Sequence, residues 1–358
     1  TVSARSFSVE ETEKYAGSWG DPSRMATNYA GVGTGGSQVN DIIIRGNSPS
    51  GLLWRLEGIN IPNPNHFGSL GTTGGPISML NNNVLSNSDF FTGAFPAEYG
   101  DALAGAFDLH MRNGNNEKRE YLAMVGFNGF ELGAEGPFSK ENKSSYLVNY
   151  RYSTLSVLDV LGIELGVGAV PYYQDLTFKL NFPNTKLGSI SVFGLGGKDH
   201  INFEWDETET VQDNIIENNT GETQFASRMG VAGITQTYYL NEDNEKALRL
   251  RNRIAVSGVG STTESYNHIN NVLENDYGDE SWEMKYTINS ELLKKFNSRN
   301  TLELGANYDL IQMSYQDSFY YNKTQEYYPN YDLDGTMELL QAYAQWKHKF
   351  SDVLTMNS

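Results

Sequence analysis

Cysteine is absent from the 358-residue chain. Disulfides, Cys-ligated zinc, iron–sulfur clusters and a thiol nucleophile are therefore excluded. Histidine is scarce, with five residues scattered along the sequence and no pair at the spacing of a local metal-binding motif. Basic residues are also few, since 26 Lys and Arg face 44 Asp and Glu for a net charge of −18. A nucleic-acid-binding protein normally has the opposite charge balance, so we expect no nucleic-acid partner.

Long apolar runs are missing as well. A transmembrane helix needs about 18 or more consecutive apolar residues, and no segment meets that requirement. Mean hydropathy is −0.49, yet aromatic residues make up 12% of the chain, which argues against wholesale disorder. A membrane β-barrel remains compatible with these values, because its strands alternate apolar and polar residues. The chain begins Thr1-Val2-Ser3 without a signal segment, so we expect a processed protein or a fragment.

Residues 1–118 are rich in Gly, Asn, Ser and Pro and contain short apolar segments. Ser8 followed by Glu11 predicts a capped helix, and Asp21 before Pro22 predicts a second one. Strands are predicted at residues 41–46, 52–58, 90–93 and 106–111, and a further helix at 76–85, where the apolar residues fit one helical face. The pattern predicts a small mixed α/β domain.

Residues 119–358 alternate apolar and polar side chains with period two, which predicts strands whose two faces meet different surroundings. The apolar faces include Leu176, Phe178, Leu180, Leu248, Leu250, Trp282, Met284, Tyr286 and Ile288. The intervening polar faces include Asp175, Thr177, Lys179, Arg249, Arg251, Arg253, Glu283, Lys285, Thr287 and Asn289. Segments near 121–135, 187–198 and 223–240 alternate less cleanly.

Two kinds of connection join the predicted strands. Short ones fall at residues 139–143, 183–186, 241–245, 297–300 and 351–353, and long ones at about 153–172, 198–222, 260–277 and 316–336. Short turns at one end and long loops at the other are typical of an outer-membrane β-barrel. A soluble sandwich also alternates, but strands longer than the ~9–11 residues that cross a bilayer favour the barrel.

Four motifs of the first region have a familiar order and spacing. Residues 41–46 read Asp-Ile-Ile-Ile-Arg-Gly, residues 56–59 read Leu-Glu-Gly-Ile, residues 95–100 read Phe-Pro-Ala-Glu-Tyr-Gly, and residues 105–112 follow. They resemble the plug domain of TonB-dependent outer-membrane receptors, with its I-R-G strand, V-D-G-V strand and P-A-x-Y-G segment. Together with residues 63–68 and 78–82, the stretch is most similar to Bacteroidetes-type receptors. Glu57 stands where the family more often has Asp.

The resemblance implies a fold class: a small α/β plug domain, residues 1–118, followed by antiparallel transmembrane β-barrel strands, residues 119–358. We count about ten strands, too few for a barrel that encloses such a domain, whereas a plugged lumen fits the ~22-stranded class. We therefore expect the N-terminal part of a larger barrel in the bacterial outer membrane.

Several charged residues are candidates for ionic contacts between plug and barrel. The resemblance implies a lock between Arg45 and Glu98 and an acidic role for Glu57, the alternative being separate surface charges. Arg249, Arg251 and Arg253 share one strand face opposite apolar residues, which points them into the lumen, toward an acidic plug surface or an anionic substrate. We favour ordinary polar filling of the lumen for these three.

Two loops are candidates for ligand contacts. Asn63, Asn65, His66 and Phe67 lie in a plug loop that, by resemblance, forms the floor of a substrate vestibule; the alternative is a rigid turn built by the neighbouring prolines. Asp332 and Asp334 lie in a predicted outer loop and resemble the first half of a Ca²⁺-binding loop, although a plain Asp-Gly turn is the favoured interpretation. We expect no other cofactor.

The resemblance implies active transport of an unidentified substrate across the outer membrane, without chemistry on that substrate. The implied partners are TonB with its inner-membrane motor, a surface lipoprotein or other outer-membrane protein, and membrane lipid. A structural subunit of an outer-membrane secretion or protein-assembly complex is the alternative. A secreted β-rich enzyme is a third hypothesis, which requires the apolar strand faces to be buried in protein. The polar loops suit glycans, peptides or siderophores alike.

Overall fold

The computed structural model of the protein describes residues 4–15, 17–18, 20–36, 39–126, 129–153, 171–207, 219–241, 246–269, 272–321, 323–324, 326–351 and 354–357. This part of the chain forms an N-terminal domain of short elements and one large antiparallel sheet, which we call the wall. The predicted connections at 153–172, 241–245 and 351–353 lie largely outside the described residues.

The N-terminal domain contains two short helices, α1 (Val9–Lys14) and α2 (Pro22–Ala26). Both predicted caps are confirmed: Ser8 and Glu11 form a reciprocal capping box on α1, and the Asp21 side chain accepts a hydrogen bond from the Ser23 amide on α2. Within the described residues, neither helix has the length and apolar character needed to span a bilayer.

The strands of the N-terminal domain are short. They are β1 (Ala4–Phe7), β2 (Val32–Thr34), β3 (Ile42–Ile44), β4 (Leu52–Leu56), β5 (Ile59–Ile61), β6 (Asn65–His66), β7 (Ile77–Ser78), β8 (Ser88–Phe91) and β9 (Gly105–Leu109), with a 3₁₀ turn at Pro49–Gly51. Five of them form a sheet in the order β1-β8-β9-β4-β5, in which β4 and β9 are parallel. Trp54 and Phe90 pack on Phe107 at ring-centroid distances of 4.6 and 4.5 Å and centre its core.

The helix predicted at residues 76–85 is wrong. That segment forms β7 and a turn, although its apolar residues Leu80, Val84 and Leu85 are buried as a helical face would have them. Its polar side chains bind the backbone locally instead. Ser78 Oγ accepts from the Leu80 amide at 3.2 Å, and Asn81 Oδ1 accepts from the Asn83 amide at 2.8 Å. Such bonds compete with the helical ladder.

The wall is an eleven-stranded meander in which each strand pairs with the next, one strand more than the count from sequence. Its strands are β10 (Glu120–Gly126), β11 (Gly129–Ser139), β12 (Ser144–Tyr152), β13 (Tyr172–Thr185), β14 (Gly188–Glu207), β15 (Asn219–Asn241), β16 (Leu248–Ile269), β17 (Val272–Asn297), β18 (Asn300–Tyr321), β19 (Glu326–Lys349) and β20 (Thr355–Asn357). The domain boundary expected after residue 118 falls between β9 and β10.

Three of the predicted long loops contain paired strands instead. Strands β14 and β15 remain paired up to Glu207 and Asn219, β16 and β17 up to Ile269 and Val272, and β18 and β19 up to Tyr321 and Glu326. Near the ends of β16–β19 the Thr- and Tyr-rich composition suits strands, but the apolar alternation that predicts a strand is absent there. The wall therefore has a short-turn end and a long-hairpin end.

The two faces of the wall differ as the alternation predicts. Leu176, Ile254 and Ile288 point outward with 45–60% of their surface exposed, whereas Thr177, Arg253 and Asn289 are buried. The inner face packs against the N-terminal domain.

Part of that inner face is apolar. The core of the N-terminal domain continues into the wall through residues of β14, β15 and β16: Phe193, Leu195, Met229, Val231, Ala255 and Val259. Phe193 is fully buried. At this patch both faces of β14 and β15 lack a polar side, which explains why residues 187–198 and 223–240 alternate poorly in sequence.

Candidate functional site: the contact between domain and wall

The Glu57-Gly58 turn brings the N-terminal domain into ionic contact with the wall. Both residues have positive φ, 52° and 82°, as the two-residue turn between β4 and β5 requires. The Glu57 carboxylate accepts hydrogen bonds from Lys179 Nζ at 3.0 and 3.1 Å and from the Met111 amide at 2.6 Å. Lys179 also donates to the Met111 carbonyl at 2.8 Å. Both charged side chains are nearly buried, so this is a specific contact between domain and wall.

Gly58 lies directly against Arg253. A Cβ atom at Gly58 would come within 2.5 Å of the Arg253 Nε atom, so the close approach itself requires glycine. The three wall arginines share one acidic partner, Glu291 of the neighbouring strand β17. Arg253 forms an ion pair with it at 3.1 Å and Arg251 at 3.9 Å, and Arg249 donates a short hydrogen bond to it. The arginines face the lumen as predicted, with their acidic partner in the wall itself.

His66 is enclosed by two carboxylates of the wall. Its Nε2 atom lies 3.0 Å from Asp175 of β13, and its Nδ1 atom lies 3.1 Å from Asp199 of β14. Arg151 of β12 binds the same Asp175 and donates to the Ser78 carbonyl of the N-terminal domain at 2.8 Å. Ser227 of β15 donates to Asp199 from its amide and its hydroxyl. Four strands of the wall thus converge on one buried imidazole.

The hydrogen-bond geometry favours a protonated imidazole at His66. Ionised carboxylates only accept hydrogen bonds, and a neutral imidazole has a single N–H, so it can satisfy one of the two. Burial disfavours the imidazolium, but the hydrogen bonds and charges of Asp175 and Asp199 outweigh burial and raise the pKa of His66 above 6.5. With Arg151, the cluster holds two positive and two negative charges.

Two further contacts involve side chains for which the sequence predicts no role. Arg112 forms a bidentate pair with Glu135 of β11, with both distances 2.7 Å, and its Nε donates to the Asn83 carbonyl at 2.6 Å. Asn81 and Asn83 donate to Glu131 of β11 at 2.9 and 2.6 Å. The alternation does place Glu131 and Glu135 on one strand face. Their hydrogen-bond partners depend on the conformation of the turn at residues 81–83, which the alternation does not predict.

The lock expected between Arg45 and Glu98 is wrong. Glu98 pairs with Arg55 at 2.8 Å, and Arg55 also stacks on the Tyr99 ring with its guanidinium carbon 4.7 Å from the ring centroid. Arg45 has a φ of 51° and is exposed in the turn after β3. Its neighbour Gly46 continues that turn with a φ of 79°, so the Arg and Gly of the I-R-G motif form a turn in this chain. The ionic partner of Glu98 is a residue of β4, Arg55.

The loop expected to form a vestibule floor is largely buried. Asn65, Asn63 and His66 bury their side chains, and Phe67 occupies a turn with a φ of 59°. Asn65 accepts from Asn40 at 2.7 Å and donates to Asn63 at 2.6 Å, and Asn63 donates to the Gly74 carbonyl at 2.8 Å. The loop is held internally and fixed to the wall through His66, which agrees with the rigid-turn alternative.

Asp332 and Asp334 lie within β19, opposite Gln316 and Ser314 of β18, and not in a loop. The Asp332 carboxylate accepts a hydrogen bond from Gln316 at 3.2 Å, and Gln341, which occupies the last position of the compared motif, donates to Asp101. Because an extended strand does not curl around an ion, the calcium-loop interpretation fails. Over the part of the chain that the structure describes, no group of three or more His, Asp and Glu side chains is arranged to hold a metal ion.

Solved structures share the overall fold of this chain. Pseudomonas aeruginosa FpvA, in a complex with heterologous pyoverdines, is similar over 99% of this chain and 50% of its own, with a TM-score of 0.62 at 13% identity. The ferric citrate transporter FecA, unliganded, is similar over 99% of this chain and 61% of its own, with a TM-score of 0.54 at 10% identity. For the copper transporter OprC the coverages are 93% and 57%, the TM-score 0.52 and the identity 12%.

The chain has the fold of the TonB-dependent outer-membrane receptors. The N-terminal domain is the plug of that fold, and the wall is a partial barrel. The chain spans between half and about three fifths of the three solved chains, namely 50%, 61% and 57%. No protein-family model and no curated protein sequence matches it.

Proposed function

We propose that the protein is an outer-membrane importer in which residues 1–118 form a movable plug and residues 119–358 form part of the surrounding barrel. The contact between plug and wall carries this proposal. Buried ion pairs at Glu57 and His66 and an apolar patch around Phe193 hold a separate small domain on the inner face of a sheet whose outer face is apolar. A domain held in this way can seal a lumen and be displaced as a unit.

The fold supports the wider assignment. FecA and OprC are transporters by name, and FpvA was solved with pyoverdines bound. By extension we propose an outer-membrane location and energy coupling through TonB and its inner-membrane motor. Placement among Bacteroidetes-type receptors, with a surface lipoprotein partner, is a proposal that rests on the sequence motifs alone.

Energy-dependent movement of the plug tests the proposal without knowledge of the substrate. Because the chain contains no cysteine, a single Ser78→Cys variant reports on one site. Ser78 is 8% exposed, and its carbonyl is bound by Arg151 of the wall, so the thiol is covered while the plug is seated. We expect a polar thiol reagent to label it faster in energised cells than after collapse of the proton gradient or removal of TonB.

A matched control is the Leu187→Cys variant in the exposed turn between β13 and β14, where Leu187 is 62% exposed. Its labelling should be independent of the proton gradient. Equal labelling of Ser78→Cys with and without the gradient would contradict energised uptake and favour a structural subunit of an outer-membrane complex.

A further inference from the structure

A pair of basic residues faces outward on the wall. Lys198 of β14 and Arg228 of β15 lie directly opposite each other across the strand ladder, and both side chains are exposed. They share the outer face with Leu176, because Leu176 pairs with Gly196 and Lys198 lies two residues further along the same strand. Two like charges placed directly opposite each other repel, so this arrangement is unfavourable unless an anion lies beside it.

The protein itself provides no such anion within the described residues. Over that part of the chain, neither Lys198 nor Arg228 forms an ion pair. Their other neighbours across the ladder are uncharged, Gln174 beside Lys198 and Gly260 beside Arg228. The nearby Asp199 faces inward, where it belongs to the buried histidine cluster. The outer face therefore presents two positive charges without a described counter-charge.

The position of the pair coincides with one edge of the apolar band that faces lipid. The outward residues of β14 from Ile190 to Gly196 are apolar, and Lys198 is the first charged residue after them. The segment 190–198 matches the ~9–11 residues with which a tilted strand crosses a bilayer. Trp282 lies in the same row of paired residues, opposite Gly260, and tryptophan is enriched at membrane interfaces. The pair thus lies at headgroup level, on the side of the long hairpins.

The surface beside the pair has room for an acyl chain. Gly196, Gly230 and Gly258 stand side by side on three neighbouring strands of the outer face. At Gly196 and Gly230, the atoms nearest to the place of a Cβ belong to the backbone, so no side chain covers the wall there. The Met284 side chain lies over Gly258 and closes one end of this row, and Leu176 stands at the other. The glycines select no ligand by themselves, but they leave a shallow apolar groove next to the charges.

We propose that Lys198 and Arg228 bind the phosphate group of an anionic membrane lipid whose acyl chains lie along this groove. A phosphate supplies the negative charge and the acceptor oxygens that the two side chains lack, and a guanidinium can bind it with two parallel hydrogen bonds. A zwitterionic headgroup offsets its own phosphate with an ammonium group, so an anionic lipid binds best. The inference rests on the proposed outer-membrane location, because it requires the outer face to lie in lipid. Since long loops of such barrels are extracellular, the site belongs to the outer leaflet.

Lipid-dependent quenching of a fluorophore tests the site. The full-length Ala232→Cys variant, labelled with bimane, is placed in vesicles of phosphatidylcholine and phosphatidylglycerol; Ala232 is exposed on the outer face, four residues from Arg228 toward the membrane centre. Bromine atoms, which quench the fluorophore, are carried by one lipid or by the other in vesicles of the same composition. A basic residue near the surface favours an anionic lipid by about five-fold. We therefore expect brominated phosphatidylglycerol to quench several-fold more per molecule than brominated phosphatidylcholine.

Three substituted forms of the labelled protein serve as comparisons. Lys198→Gln with Arg228→Gln should make the two lipids quench equally. Lys198→Arg with Arg228→Lys keeps both charges and should retain the preference for phosphatidylglycerol. Lys140→Gln with Lys143→Gln removes two exposed charges at the short-turn end and should leave the preference unchanged.

Several outcomes would overturn the proposal. They are equal quenching by both lipids in the labelled protein without further substitution, and an unchanged preference after both residues become glutamine. A third is a larger loss of preference in inorganic phosphate than in sodium chloride of equal ionic strength, which would assign the pair to a free anion. Quenching by neither lipid would show that the outer face does not lie in the bilayer, and it would contradict the outer-membrane location itself. The failure of the lipid site and the failure of the proposed function are therefore distinguishable.

Discussion

Replacing His66 is the sharpest test of how the plug is held. Glutamine at this position keeps one N–H donor but presents an oxygen to the second carboxylate and removes the positive charge. The loss of one charge-assisted hydrogen bond costs about 1.5–3 kcal/mol, and breaking one side of a buried ion pair about 3–5 kcal/mol. We expect His66→Gln to lower the free energy of plug opening by about 3 kcal/mol, where the two ranges meet. Hydrogen exchange of the β6 and β7 backbone amides measures that opening.

The same residue sets a pH dependence with a definite sign. The pKa of His66 is raised in the folded protein, so its stabilising contribution is complete below pH 6.5 and is lost as the pH rises through the folded pKa. The groups that raise this pKa are Asp175 and Asp199. Arg151 binds the same Asp175, and the Tyr173 ring centroid lies 4.9 Å from that of the imidazole. The unsubstituted protein should therefore open more easily as the pH rises above 6.5, and the His66→Gln variant should lose this dependence.

A matched double variant controls for simple misfolding. In His66→Gln combined with Asp199→Asn, the new amide can donate to the glutamine oxygen, and its own oxygen still accepts from Ser227. Much of the lost opening free energy should return. A His66→Gln effect below about 0.5 kcal/mol, the range of ordinary surface substitutions, or an unchanged pH dependence in that variant, would refute the assignment of an imidazolium clamp.

Three further substitutions test other parts of the contact. Lys179→Met leaves the Glu57 carboxylate buried and unpaired, so unfolding in detergent should show a loss of about 3–5 kcal/mol, which Glu57→Gln in the same chain largely restores. Phe193→Ala should cost about 3–5 kcal/mol in the same assay, because it opens a cavity where wall and plug share one core. Ile288→Arg on the outer face should lower the free energy of folding into lipid bilayers by about 2–4 kcal/mol, and Asn307→Arg on the lumen face by much less. Equal costs at Ile288 and Asn307 would mean that the strand faces are assigned wrongly.

Local sequence signals predict the fold well wherever a single period or a single turn decides the structure. The capping residues Ser8 and Asp21 mark both helices, and the alternation identifies most strands of the wall and their inner and outer faces. The alternation fails at β14 and β15, because inner-face residues such as Phe193 and Val231 pack on the plug and make both faces apolar. It also fails in the paired ends of β16–β19, where no apolar face is required.

The partners within the candidate site were harder to predict, because they depend on contacts distant in sequence. Glu57 was recognised from its turn motif, but its partner Lys179 lies 122 residues away. His66 was recognised as a candidate, yet only the arrangement of β13 and β14 shows that two carboxylates enclose it. The Arg45–Glu98 prediction failed because the motif places Arg45 in an exposed left-handed turn after β3. Arg55 of β4 occupies the position beside Glu98 instead.

A reversible tether between plug and wall tests the central claim most directly. Gln341 of β19 donates to Asp101 of the plug at 2.8 Å, so Asp101→Cys with Gln341→Cys can be joined by a short reducible crosslinker in a chain without other cysteines. Ser261→Cys with Ser281→Cys, on paired strands of the wall, is the matched tether that leaves the plug free. Under conditions in which deletion of the gene limits growth, we predict that the plug tether abolishes growth, that reduction restores it, and that the wall tether has no effect. Full growth with the plug tether closed would contradict a plug that moves during uptake.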